Sequence, residues 1–88
     1  MEKRIEQFIR DDIVSEIIEK DNYWIEDIED ETTLIYAEFR RKLYFASLPT
    51  WLVRACKKYD AKNTLIYLVN DCLKKIVNDI IEDIAKEV

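Results

Sequence analysis

The stretch Tyr23–Phe45, "YWIEDIEDETTLIYAEFRRKLYF", decides the fold of this 88-residue chain, and two periods compete in it. Spaced for a helix, Ile35, Phe39, Leu43 and Ala46 form one stripe with Tyr36 beside it. Glu29, Asp30 and Glu31 precede that stripe and Arg40, Arg41 and Lys42 lie in its second half, a polarity that complements a helix dipole. Asp30, Thr32 or Thr33 would cap it. Trp24 and Ile28, four apart, suit a short preceding helix. Spaced for strands, Ile35, Ala37 and Phe39 alternate with Leu34, Tyr36 and Glu38, and Leu43 and Phe45 continue the phase. "YWI" has high β propensity. The strand reading, however, requires "RRK" to turn without a turn residue.

Composition tips the choice. The chain has no glycine and one proline, Pro49. Tight hairpins, phosphate-cradling loops and Schellman caps favour residues that accept positive φ. Only Asn22, Asn63, Asn70 and Asn78 stand in for glycine on this reading. The expectation is therefore a single all-α domain over residues 1–88, a four- or five-helix bundle with a long C-terminal helix. An α+β fold with a short β-meander at residues 23–45 is the alternative.

Outward from this stretch the pattern is simpler. Ile5, Ile9, Ile13 and Ile17 recur every four residues, predicting an amphipathic helix from Met1 to Lys20 that stops at Asp21–Asn22. In "SLPTW", Pro49 suits a first helical turn, predicting a helix from Pro49 to Tyr59 with Leu52, Val53 and Cys56 inward. "DAKN" breaks it. Asn63 or Thr64 then caps a helix from Leu65 to Glu87 whose apolar residues come in pairs. That apolar face is wider than one antiparallel neighbour covers. Leu65, Val69, Cys72, Leu73, Ile76, Ile80 and Ile84 are accordingly candidate homodimer contacts.

The charge is unevenly spread. The net −5 is the sum of −9 in residues 1–39, +7 in residues 40–75 and −3 in residues 76–88. Either these blocks pair with each other, or the middle faces a polyanion and the ends face water or a basic partner. The candidate nucleic-acid contacts are Arg40, Arg41, Lys42, Arg54, Lys57, Lys58, Lys62 and Asn63. Tyr36, Phe39, Tyr44, Phe45, Trp51, Tyr59 and Tyr67 lie among them, as base stackers or, more plainly, as core and core edge.

Two DNA-binding patterns have partial likenesses here. Arg54–Asp71, "RACKKYDAKNTLIYLVND", is similar to a helix-turn-helix with Ala55 at the close approach and Leu65 and Leu68 as anchors. Asn63, Thr64, Tyr67 and Asn70 would face outward. It departs from the pattern at Tyr59, where glycine is usual, and at Asp60, where an apolar residue is usual. "KLYFASLP" followed by two helices is similar to a ribbon-helix-helix, with a first helix one turn short. Neither likeness assigns a family.

Catalysis finds little support. There is no histidine, hence no imidazole base and no cysteine–histidine zinc site, and no glycine-rich phosphate loop. The run Glu26–Glu31 lacks the layout of a divalent-cation loop and reads as a solvated acidic face. No catalytic, cofactor-binding or metal-binding residues are assigned, and no cofactor is expected. Cys56 and Cys72 read as buried free thiols of a cytoplasmic protein. No apolar run approaches the length of a membrane span. The chain is expected to be a non-enzymatic interaction or regulatory protein, a homodimer that engages a macromolecular, basic partner. Small acidic inhibitors of phages and mobile elements are the base-rate comparison. A dimeric DNA-binding regulator using residues 40–62 is the alternative.

Overall fold

Residues 23–28, 32–39 and 42–49 form strands. The computed structural model describes residues 3–28 and 32–87. Its elements run α1 (Lys3–Val14), a π-helical turn (Ser15–Glu19), β1 (Tyr23–Ile28), β2 (Thr32–Phe39), β3 (Lys42–Pro49), α2 (Thr50–Lys58) and α3 (Lys62–Glu87). The all-α bundle is thus corrected to α+β. The helix expected across residues 32–47 is an antiparallel hairpin, and β1 joins it in a three-stranded sheet of order β1-β2-β3. The roles expected for Glu29, Asp30 and Glu31, including Asp30 as a helix cap, fall outside the described residues.

The meander wins because its alternation is in phase across all three strands. Thr33 pairs with Leu48, Ile35 with Ala46 and Ala37 with Tyr44, while Ile25 lies opposite Ile35. Thr33, Ile35, Ala37, Ala46 and Leu48 are all buried on one face. β-branched and aromatic residues in these positions pack well on a pleated surface, each cross-strand pair adding about 0.2–1 kcal/mol. A helix would scatter the same residues around its circumference.

The obstacle foreseen for strands was the missing turn residue, and the chain overcomes it at a conformational cost. Phe39 and Lys42 are paired, leaving Arg40 and Arg41 as a two-residue loop with φ of 51° and 65°. Positive φ at both central positions is the signature of a type I′ hairpin turn. Helix ends repeat the device. Asp60 (φ 55°) follows α2, and the amides of Asp60 and Ala61 donate to the carbonyls of Lys57 (3.3 Å) and Cys56 (2.7 Å). Asp21 (φ 54°) follows the π-helical turn, and the amides of Asp21 and Asn22 donate to Ile18 (3.3 Å) and Ile17 (2.9 Å). Both are Schellman motifs with aspartate where glycine is usual.

α3 is the spine. Its 26 residues span about 39 Å, close to the 44 Å longest extent of the molecule. It packs on β3 and β2, with α1 and α2 against it. Ile13, Ile17, Ile35, Leu73, Ile76 and Ile80 are fully buried at the centre of one core. Each such side chain contributes about 1.5–3 kcal/mol of transfer free energy. At the sheet's lower end the buried hydroxyls of Thr33 and Thr50 share a hydrogen bond of 3.0 Å, fastening the first turn of α2 to β2. Among the described residues, no helix is long and apolar enough to cross a membrane.

Candidate functional site

The helices cover one face of the sheet and leave the other open. On the open face, the register aligns Trp24, Tyr36 and Phe45 across β1, β2 and β3. Trp24 and Tyr36 stack with centroids 5.5 Å apart, and Tyr36 and Phe45 follow at 6.4 Å, tilted by 50°. Leu34 and Leu43 share this face. Phe45 is 57% exposed, and Trp24 and Leu43 are exposed as well. The charged side chains among these residues are carboxylates: Glu26 lies opposite Leu34, and Glu38 opposite Leu43. The result is an aromatic ladder with Glu26 beside it and, around the hollow at Trp24, Glu38 together with Arg40 and Arg41. A face of one six-residue and two eight-residue strands measures about 360 Å² from strand rise and spacing.

The sequence concealed this ladder. Trp24, Tyr36 and Phe45 are far apart in the chain, and only the strand register brings them into line. Read as helix, Tyr36 sat beside an inward stripe and Trp24 belonged to another element.

The basic block does not form one surface. Arg40, Arg41 and Lys42 occupy the β2–β3 hairpin end. Arg54, Lys57 and Lys58 lie on α2, and Lys62 and Asn63 open α3. Lys42 forms an ion pair with Asp83, so the two groups are separated by the run of α3 from residue 62 to 83, about 30 Å. Each group also meets opposite charge. Arg40 and Arg41 line a hollow of about 450 Å³ with Glu16, Asp21 and Glu38. Arg40 lies over the Phe39 ring at 5.2 Å. Lys62 is 3.9 Å from Asp60. Asn63, Thr64, Tyr67 and Asn70, the outward positions of the helix-turn-helix comparison, are exposed. Residues 42–49 form the strand of the ribbon comparison, paired with β2 of the same chain.

Most of the candidate dimer residues are internal. Cys72, Leu73, Ile76 and Ile80 are buried in the chain's own core, and Leu65, Val69 and Ile84 pack at its edge. Cys56 and Cys72 are buried free thiols. Burial, then the neighbouring Asp71, pushes the Cys72 thiol above its ordinary range, which leaves it a poor nucleophile.

Lys42, Tyr44 and Asp83 form a polar clasp between β3 and the end of α3. The Tyr44 hydroxyl donates to Asp83 Oδ2 at 2.9 Å, and the Lys42 ammonium donates to the same oxygen. Hydrogen bonds from Lys42 and Tyr44 hold the Asp83 carboxyl below its ordinary range. Burial, and then the bond to Asp83, raises the Tyr44 phenol to about 12. The clasp joins sheet to helix and is a structural element.

A second apolar region lies on the covered side. Ile25 shares the inner face with Ile35, yet it is 51% exposed, because α3 packs on β3 and β2. Two adjoining hollows of about 310 and 250 Å³ share Ile25, Leu65 and Val69. Val53, Lys57, Ile66 and Asn70 complete their lining from α2 and α3.

Comparison with protein-family models, curated proteins and solved structures gave no match.

Proposed function

We propose that this chain is a non-enzymatic binding protein that holds a basic segment of a macromolecular partner on the open face of its sheet. The observation that carries the reading is the Trp24–Tyr36–Phe45 ladder, an aromatic row that none of the described helices covers. Aromatic faces attract guanidinium and ammonium groups, at about 0.5–1 kcal/mol for each exposed contact. Glu26 on the same face, opposite Leu34, adds complementary charge away from Arg40 and Arg41. A face of about 360 Å² is less than half of what a stable complex buries per partner. The complex is therefore a transient one, or one in which the partner reaches beyond the sheet. Two buried thiols suit a reducing, cytoplasmic setting.

The test is an unbiased selection of random peptides on the immobilised full chain, beside the Phe45→Ser chain. Enrichment of sequences that combine Arg or Lys with apolar residues, lost with Phe45→Ser, is the expected result. Enrichment of acidic sequences, or enrichment indifferent to Phe45→Ser, sinks the reading. A gel-shift with duplex DNA belongs in the same experiment: retardation that weakens steeply with salt would turn the assignment to the DNA-binding alternative.

A further inference from the structure

The groove beneath β1 and the first turns of α1 have complementary shapes. The groove is concave and apolar, walled by Ile25, Leu65, Ile66 and Val69, with Ile66 58% exposed. A second concave groove cannot fill it; a convex apolar ridge can. α1 carries such a ridge. Ile5 and Phe8 lie one helical turn apart, and Phe8 is 65% exposed. Within its own chain, α1 is already committed to α3. Ile13 is buried, Ile9 packs on the core, and Arg10 donates to Asn78 at 2.8 Å. The Ile5–Phe8 ridge is what remains unused. Apolar residues at i and i+3 are the way a helix presents itself to a groove.

We propose that two copies of this chain form a symmetric dimer in which the Ile5–Phe8 ridge of each seats in the Ile25–Leu65–Ile66–Val69 groove of the other. Surface area supports a second copy as the occupant. A compact monomer of 10.6 kDa exposes about 5,500 Å², against 6554 Å² here. The excess, about 1,000 Å², matches the roughly 800 Å² per partner of a standard interface. The radius of gyration agrees, at 14.4 Å against about 12 Å for a compact chain of this length. Charge agrees too. Lys57 is the charged side chain lining the hollows, and Asp11 and Asp12 stand one turn beyond Phe8. Two-fold symmetry repeats the contact, so each copy both gives a ridge and receives one. The dimer is independent of the open sheet face, which stays outward in both copies.

Light scattering behind a sizing column should give about twice 10.6 kDa for the native chain. Phe8→Glu should weaken the dimer at least about tenfold, as loss of an anchoring aromatic does, while far-ultraviolet circular dichroism stays native. Phe45→Ser should leave the mass unchanged, which separates this contact from the open face. Pairing is read by mixing Phe8→Cys chains with Ile66→Cys chains under mild oxidation. A disulfide-linked pair that forms in the mixture, and not in either variant alone, is the expected outcome. A native monomer at high concentration overturns the proposal. So does cross-linking of Ile66→Cys with itself, which would mean groove against groove.

Discussion

Replacing Arg40–Arg41 by Asn-Gly should make the protein more stable, although it removes two charges and one ring contact. Both arginines sit at positive φ, 51° and 65°. For an L-residue with a β-carbon this region costs about 1–2 kcal/mol. Glycine at position 41 removes that cost but adds about 0.5–1 kcal/mol of unfolded-chain entropy. Asparagine at position 40 tolerates the left-handed region better than arginine, and forfeits the Arg40–Phe39 contact at 5.2 Å, worth about 0.5–1 kcal/mol at an exposed site. The balance is a gain of about 1 kcal/mol. For a domain of 60–100 residues that raises Tm by about 4–8 °C.

A control separates conformation from charge. Arg40→Ala with Arg41→Ala removes the same charges but keeps β-carbons at both positions. Losing cations beside Glu16, Asp21 and Glu38 sharpens acidic repulsion in both variants alike. Thermal melts followed by circular dichroism, at low salt and again at high salt to screen that repulsion, give the comparison. Asn-Gly should exceed Ala-Ala at both salts. Equal melting temperatures for the two variants would falsify the assignment of strain to this turn.

Three further outcomes follow from polar contacts between elements. Thr33→Val leaves the Thr50 hydroxyl buried without its 3.0 Å partner, and should cost about 1–3 kcal/mol in urea unfolding; the Thr33→Val, Thr50→Val pair should cost clearly less than the sum of the singles, and strict additivity would show the bond to be unimportant. In an alkaline absorbance titration, one of the five tyrosines should ionise late, near 12, and Tyr44→Phe should abolish that late step. Because the folded phenol holds its proton more tightly than the unfolded one, this contribution to stability is complete below about pH 10 and is lost as pH rises toward 12. The Asp83 carboxyl works at the opposite end: its lowered value adds stability at neutral pH that disappears as acid protonates it.

The helices were legible because their signals are local. Isoleucines every four residues mark α1, Pro49 marks the start of α2, and paired apolar residues mark α3, although α3 begins at Lys62 and not at Leu65. The sheet is harder to see, because a chain without glycine disfavours tight hairpins unless another residue, asparagine by preference, takes positive φ. None of Asn22, Asn63, Asn70 and Asn78 takes that role; Asp21, Arg40, Arg41 and Asp60 do. The better signal was inward alternation on odd positions from Thr33 to Phe39 and on even positions from Tyr44 to Leu48, a change of phase at Arg40–Arg41 that a two-residue turn produces and a continuous helix or strand does not. The aromatic ladder was beyond reach, since it exists only once the register is fixed.

The charge pattern also changes meaning in three dimensions. A block of +7 along the chain is not a field of +7 on a surface. The strand reversal at Arg40–Arg41 turns its leading edge toward Glu16, Asp21 and Glu38, the α3 spine brings Asp83 to Lys42, and Lys75 pairs with Asp79 at 2.9 Å. With exposed pairs of this kind worth about 1 kcal/mol or less each, they do little for stability. Their effect is to cancel the long-range potential that would draw a polyanion to residues 40–42. Residues 54–62 retain cations, on α2 and at the start of α3, about 30 Å from the hairpin. By contrast, nothing in the described structure compensates the apolar area of Trp24, Phe45 and Leu43. Exposed aromatic area costs free energy wherever it faces water, about 25 cal/mol for each Å². A chain this small has little stability to forgo, so an uncovered ladder at the centre of its sheet is better explained by something that binds there than by the needs of the fold.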